Sequence, residues 1–529
     1  NRFLLSDLFA SPSPEKLGRD ARVVDVLGPA VRSAERAFAG QPRVAAEVLD
    51  AVGVSYRAIG LIPEAEQVTR RALALLGDDR GDPLTLRARG HLVAVLSGLL
   101  RTAEALELGA AVVDESKRRL GADDAETLAR RVDLAGARWD AGQPEQSIAD
   151  LRAVVADQAR VLGAEDARTL ATSAQLGVNL AANGAIDEGR KLLTETLAME
   201  DRVLGADHPE TLTTRSHLAW IHTLGSDWQQ ADAVYGQILP TMTALYGKDH
   251  PYTARTTVQM AQSWMHLGRL DDAEAVVRAA CADLERRLGK DHAWTQDAHL
   301  MLEEALFRKR DFAAAIKEGE QIVEQRRAAG GENLAHALIK LGRSHQDAGE
   351  HRAAADAFRE AAQIYRVAFA KPTDFLAQAL YNLGVVTRDG GDAQGAIAPL
   401  EEAMAIDTEL WGADHSHVLG DRYNLARTLL AAGKPAEAVE QMRLVMASPA
   451  RGKSEPWRQL CHEAVLGQAL VEGRQDQEGE RCLVEAITGL DGLGRGGDAP
   501  ARQARASLVQ MYERLGRTQD AERWRSGNH

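Results

Sequence analysis

The sequence predicts an all-α, right-handed superhelical solenoid of about twelve helix-turn-helix units. Three observations predict it. Hydrophobic residues make up 45% of the 529 positions, charged residues 26% and aromatics only 5%, a globular composition in which helix formers prevail and no long run of β-branched residues argues for strands. One glycine recurs every 42 residues: Gly121, Gly163, Gly205, Gly247, Gly289 and Gly331. Apolar residues between these glycines step by three or four, as in Ala273, Val277, Ala280, Leu284 and Leu288, which lays one apolar stripe along a helix.

The repeat is recorded in further registers. Thr85, Thr127, Thr169, Thr211, Thr253 and Thr295 keep the same period, and so do Leu92, Leu134, Leu176, Leu218, Met260 and Leu302. The junction Leu204-Gly205-Ala206-Asp207-His208-Pro209-Glu210-Thr211 reads as helix stop, short loop and helix start. Glycine tolerates the left-handed closing conformation, Asp or His accepts from free N–H groups, and proline at the first helical position loses no hydrogen bond.

A second break, Gly-x-apolar-x-x-Ala, divides each repeat, as at Gly268, Gly349, Gly391 and Gly433. Taken as a marker, it centres units on positions 60, 100, 142, 184, 226, 268, 310, 349, 391, 433, 473 and 516, with Leu100, Ser226 and Arg310 in place of the turn glycine. The small residues that follow (Ala231, Ala273, Ala315, Ala354, Ala396, Ala438) let paired helices approach closely. A single hairpin cannot bury its stripe alone, so neighbours must stack.

Three regions follow in order. Residues 1–40 read as a linker, with Ser11-Pro12-Ser13-Pro14, and an N-terminal capping helix over Val23–Phe38. Residues 41–447 read as ten units, and residues 448–529 as two divergent units and a capping tail, with breaker-rich loops at 448–456 and 489–500.

Net charge of −14 disfavours bulk attraction to nucleic acid or anionic lipid, and no apolar run reaches the length of a membrane span. Cys281, Cys461 and Cys482 are too few for a disulfide scaffold; Cys281 lies on an apolar stripe, and a cytoplasmic, reducing compartment is expected. Phe3-Leu4-Leu5 runs straight into Ser6-Asp7, unlike a signal peptide, and the initial Asn leads us to expect a piece of a longer or processed chain.

Tyr381-Asn382-Leu383-Gly384, leading to Gly391, Ala396, Ala403, Ile406 and Asp407, resembles the tetratricopeptide repeat. The 42-residue period with Leu-Gly-x-Asp-His-Pro-x-Thr-Leu junctions is similar to the kinesin-light-chain subtype, over roughly residues 42–525. The start, Phe3-Leu4-Leu5-Ser6-Asp7-Leu8-Phe9-Ala10-Ser11 with Arg19 to Leu27, is similar to the segment that joins bacterial serine/threonine protein kinases to C-terminal repeat arrays. That likeness implies a catalytic domain upstream. If a membrane span separated kinase and repeats, the array would be extracytoplasmic.

The repeat resemblance implies that the first helix of each pair lines a concave, peptide-binding face. The residue before the recurrent Leu, and the one two after it, would face that groove. The first row reads His91, Asp133, Gln175, His217, Gln259, Met301, Lys340, Asn382 and Asn424; the second includes Trp220, Gln262, Glu304, Arg343 and Arg427. Carboxamides bond a peptide backbone in both directions, and Arg and Lys pair with carboxylates. Lys340, Arg343, Asn382, Asn424 and Arg427 are the expected patch for an acidic or chain-terminal segment, Gln175, His217 and Gln259 extend the row, and Trp220 is an expected aromatic anchor. An open solenoid end also permits a homodimer.

No chemistry is expected of this chain. It has no kinase Gly-rich loop, H-R-D or D-F-G. Arg451-Gly452-Lys453-Ser454 lacks the first glycine of a phosphate loop, and Gly492–Gly497 reads as a flexible connection. The histidines form no H-E-x-x-H; His208, His250, His292 and His415 recur at junctions and read as helix starts. No cofactor or metal is expected.

Overall fold

A computed structural model describes residues 23–526 apart from 59, 78, 80, 100, 328, 329 and 370. The Ser11–Pro14 linker, the kinase-linker-like residues before 23 and the turn residue Leu100 lie outside the described residues. All regular structure among the described residues is helical.

The expected capping helix is α1 (Val23–Ala37). Helix pairs follow: α2 (Pro42–Ala58) and α3 (Ile62–Leu76); α4 (Pro83–Gly98) and α5 (Thr102–Leu120); α6 (Ala125–Asp140) and α7 (Pro144–Val161). Next are α8 (Ala167–Ala182) and α9 (Ile186–Val203), α10 (Pro209–Leu224) and α11 (Trp228–Tyr246), α12 (Pro251–His266) and α13 (Leu270–Leu288), then α14 (Ala293–Arg308). These make up a first compact unit that ends at Lys309.

A second unit begins at Arg310. It holds α15 (Phe312–Arg327), α16 (Gly331–Asp347) with α17 (His351–Ala368), and α18 (Asp374–Asp389) with α19 (Ala393–Trp411). After them come α20 (Ser416–Ala431) with α21 (Pro435–Ala447), a 3₁₀ turn (Pro449–Lys453), α22 (Pro456–Glu472) with α23 (Asp476–Gly492), and α24 (Ala499–Arg514) with α25 (Thr518–Ser526). Arg451 and Lys453 of the phosphate-loop-like string therefore sit in a 3₁₀ turn between helices.

The turn inside a pair is built as the sequence predicts. Gly268 takes φ 80°, and the Arg269 N–H donates to Trp264 O at 2.8 Å, closing α12 before α13 starts. At the junction between pairs, Gly247 takes φ 94° and His250 caps α12 by accepting from the Tyr252 N–H at 3.3 Å. His208, His292 and His415 cap α10, α14 and α20 in the same way.

Two positions depart from the expected register. The left-handed residue of the eleventh pair is Arg474 (φ 63°), not the neighbouring Gly473 that the marker singled out. The helix start at Asp476 fixes the turn two residues upstream, and Gly473 instead ends α22. Gly331, the last of the 42-residue series, opens α16 directly, because the Asp-His-Pro loop is absent there.

The small residues after each turn, Ala231, Ala273, Ala315, Ala354, Ala396 and Ala438, are all fully buried. A Cβ on Gly384 of α18 would stand 2.5 Å from Leu400 Cγ of α19, so that pair can close only over glycine. Within each unit, first helices also touch the first helix of the next pair: α2 on α4, α4 on α6 and α10 on α12 in the first unit, α18 on α20 and α20 on α22 in the second. The first helices thus form the inner layer of each stack. No described helix is long and apolar enough to cross a membrane. Cys281, Cys461 and Cys482 are buried.

Candidate partner-binding groove

The first helices carry the predicted rows at positions i and i+3, one turn apart on a single face. On α10 this sets His217 beside Trp220, and on α12 it adds Gln259. These three residues line one cleft of about 840 Å³ in the first unit, with Val178 of α8, Met242 and Tyr246 of α11, and Tyr252 and Arg255 of α12. α11 carries Pro240 inside it, two residues before Met242 and six before Tyr246. A mid-helix proline removes a backbone hydrogen bond and bends the helix.

The cleft is mixed in character. His217 Nδ1 is buried without a hydrogen-bond partner, and burial, aided by the Arg255 cation, pushes its imidazole down to about 4. Arg255 lies over the Trp294 ring, 4.8 Å from its centroid, and has no carboxylate partner among the described residues. An aromatic series flanks it: Tyr246 to His250 at 5.1 Å, His250 to Tyr252 at 5.7 Å and Tyr252 to Trp294 at 5.2 Å between ring centroids. Burial pushes His250 down as well, which keeps its Nδ1 an acceptor for the helix cap. Apolar walls, a neutral imidazole and one uncompensated guanidinium suit a side chain with an anionic or hydrogen-bonding neighbour.

Gln175 is exposed on α8 and donates to Asn179 at 2.7 Å, away from the cleft lining. His91 and Asp133 are taken up internally: His91 Nδ1 lies 2.8 Å from the buried Asp50 carboxylate, and Arg130 is 3.0 Å from Asp133.

In the second unit, Lys340 and Arg343 stand on α16, Asn382 on α18, and Asn424 and Arg427 on α20. Arg343 is exposed, and Lys340, Asn382 and Arg427 are partly so. Asn424 is buried and its amide is committed: Nδ2 donates to the Tyr381 hydroxyl at 2.7 Å, and Oδ1 accepts from Arg388 at 3.2 Å. Its place as a groove contact is therefore corrected to that of a positioning group between α18 and α20. Sequence periodicity pointed to the face and missed this bond, because Tyr381 and Arg388 reach Asn424 only once α18 and α20 are stacked. Arg255, Tyr246 and Tyr252 were missed too. They fall outside the two rows, and the signal available was the aromatic character of the 246–252 junction.

Tetratricopeptide repeat profiles match residues 168–244, and again 253–293, 334–371 and 376–417. These segments, α8 to α13 and α16 to α19 in large part, carry tetratricopeptide repeats. Among solved structures, the chain is similar to a variant form of a putative kinesin light chain of nearly identical TPR-like repeats from Podosopora anserina: 25% identity, 39% of this chain and 96% of that one, TM-score 0.35. It is similar to BtubC (BKLC) from P. vanneervenii at 19% identity over 43% of this chain and 93% of that one, TM-score 0.39. It is also similar to the apo form of RapI at 9% identity over 74% and 98%, TM-score 0.46. No curated protein sequence matches the chain.

Proposed function

We propose that this chain is a protein–protein interaction scaffold that holds an extended segment of a partner against the first helices of its repeats. The observation that carries the reading is the convergence of His217, Trp220, Gln259 and Arg255 on one cleft of the first unit. Trp220 and the aromatic junction supply apolar area, Gln259 pairs with a peptide backbone, and Arg255 pairs with a carboxylate. In the second unit, Lys340, Arg343, Asn382 and Arg427 form a second patch for an acidic or chain-terminal segment. Asn424 supports that patch from below through Tyr381.

Selection of 12-residue peptides from a displayed library on the full chain tests this reading. The expected binders are acidic, and Trp220→Ala or Arg255→Ala weakens them at least tenfold with helicity unchanged. Binders indifferent to both cleft substitutions and to a Lys340/Arg343/Arg427 triple alanine variant would sink the reading.

A second reading rests on the segment from Phe3 to Leu27, similar to kinase-to-repeat linkers. In that reading the array is the sensory or substrate-docking region of a bacterial serine/threonine protein kinase. The reading frame upstream of Asn1 decides it: a kinase domain there supports the reading, and any other domain removes it.

A further inference from the structure

We propose that Asp407 and Asp421 share one proton across the junction of α19 and α20, and that this proton locks the two helices together, so that their pairing loosens as pH rises. The two carboxyls occupy a fixed register, five residues before and nine after the junction Gly412. In the first unit the same register holds Glu200 and Thr214, and there the Thr214 hydroxyl donates to Glu200 Oε1 at 3.1 Å. That pair needs no extra proton, because a hydroxyl faces a carboxylate. In the second unit an acid stands where the hydroxyl would be. Both Asp407 and Asp421 are buried, the register that brings Thr214 within 3.1 Å of Glu200 sets their carboxyls side by side, and Asp421 Oδ2 has no hydrogen-bond partner. Two carboxylates in contact away from water cannot both be ionised, since like charges repel strongly in a low-dielectric site.

The surroundings do not relieve this repulsion. Among the described residues neither carboxyl has an ion pair. Arg422, next along α20, is the cation acting on Asp421, and its guanidinium is held by Gln441 of α21 at 2.7 Å. His415 and His417 act on Asp407 from the start of α20, opposed by Asp374 from α18. Tyr381 of α18 also faces Asp421 and is neutral, and Arg388 of that helix is committed to Asn424 and Asp389. From the 3₁₀ turn and α22, Arg451 and Glu463 satisfy each other at 2.5 Å, while His462 lies against the Tyr423 ring. Burial and the Asp407 charge together push Asp421 up to about 8.

The sign follows from linkage. The folded carboxyl holds its proton to a higher pH than the unfolded one, so its stabilisation is complete below the ordinary aspartate range, about 3.9. It is lost progressively as pH rises towards 8. Because α18 and α20 carry Asn382 and Arg427, loosening α20 also disorders the second-unit patch.

The test is unfolding of the full chain from pH 5 to 9 in wild type, Asp421→Asn and Asp421→Thr. Asparagine mimics the protonated acid, and threonine reproduces the Glu200–Thr214 arrangement. The ratio of wild-type to variant unfolding constants should climb by up to about tenfold per pH unit to pH 8 and then level. A ratio constant within about twofold overturns the proposal. If neither variant folds, wild-type amide exchange decides it: after correction for the intrinsic rate, α19 and α20 must open further with rising pH while α11 and α12, with Met242 and Thr256 in that register, do not. Equal behaviour of the two regions overturns it.

Discussion

Ser226 holds at φ 59° the turn position that Gly268 holds at φ 80° one repeat later. The backbone is thus the same in both turns, and the serine bears a left-handed conformation that its Cβ disfavours. Arg474 does the same at φ 63°. Ser226→Gly and Arg474→Gly should each raise stability by up to about 1 kcal/mol, since the strain relieved exceeds the entropy glycine adds to the unfolded chain. Urea denaturation of each variant checks this; a loss of stability would contradict it.

Close approach of paired helices gives the opposite case. The Cβ of Gly384→Ala would meet Leu400 Cγ at 2.5 Å and the Ala396 carbonyl at 3.2 Å. Backbone cannot yield as a side chain can, so α18 and α19 must part. The expected cost is about 1–3 kcal/mol, read as a lower urea midpoint.

Acid should weaken the second unit through His462. Its ring is buried, Nδ1 has no partner, and burial with the Arg451 and Arg458 charges pushes it down to about 4. A depressed folded value means that its contribution is present above the ordinary histidine range of about 6.5 and is lost as pH falls towards 4. The loss approaches about 1.4 kcal/mol per pH unit within that window. His462→Asn should flatten the profile there, measured by denaturation at pH 4.5, 5.5 and 6.5.

Second helices are tied to the junction loop one repeat earlier by ion pairs on the surface. Arg160 reaches Asp123 with two bonds, at 2.9 and 2.6 Å, Arg202 reaches Glu165, and Arg286 reaches Asp249 at 3.3 Å. All are solvent-facing, so each contributes little. Arg160→Ala should lower the urea midpoint only slightly at low salt and leave it unchanged near 1 M salt, where screening is nearly complete. A cost that survives high salt would mean that Arg160 acts through packing.

Much of the fold was legible because a helical repeat writes its punctuation locally. Gly247 and Pro251 act through their own backbone and His250 through a ring nitrogen that reaches only two residues on, so the loop they form is readable without knowing what it packs against. Ala396 was legible as an inward small residue for the same reason. Asn424 was not, since its bonds to Tyr381 and Arg388 cross from α20 to α18. Nor was Arg255 legible as a cleft residue: its row membership depends on how α12 sits beside α10 and α11.

The sequence alone determined that the chain folds into paired helices, where most of them begin and end, and which faces are apolar, because those are properties of neighbours three, four or 42 residues apart. Only the tertiary structure decided that Asn424 is buried while its row neighbours are not, where a cleft opens beside the Pro240 helix, and that Asp407 and Asp421 are both buried. The reason is that burial and charge pairing are set by residues brought together through stacking, and stacking distance is not encoded in any one repeat.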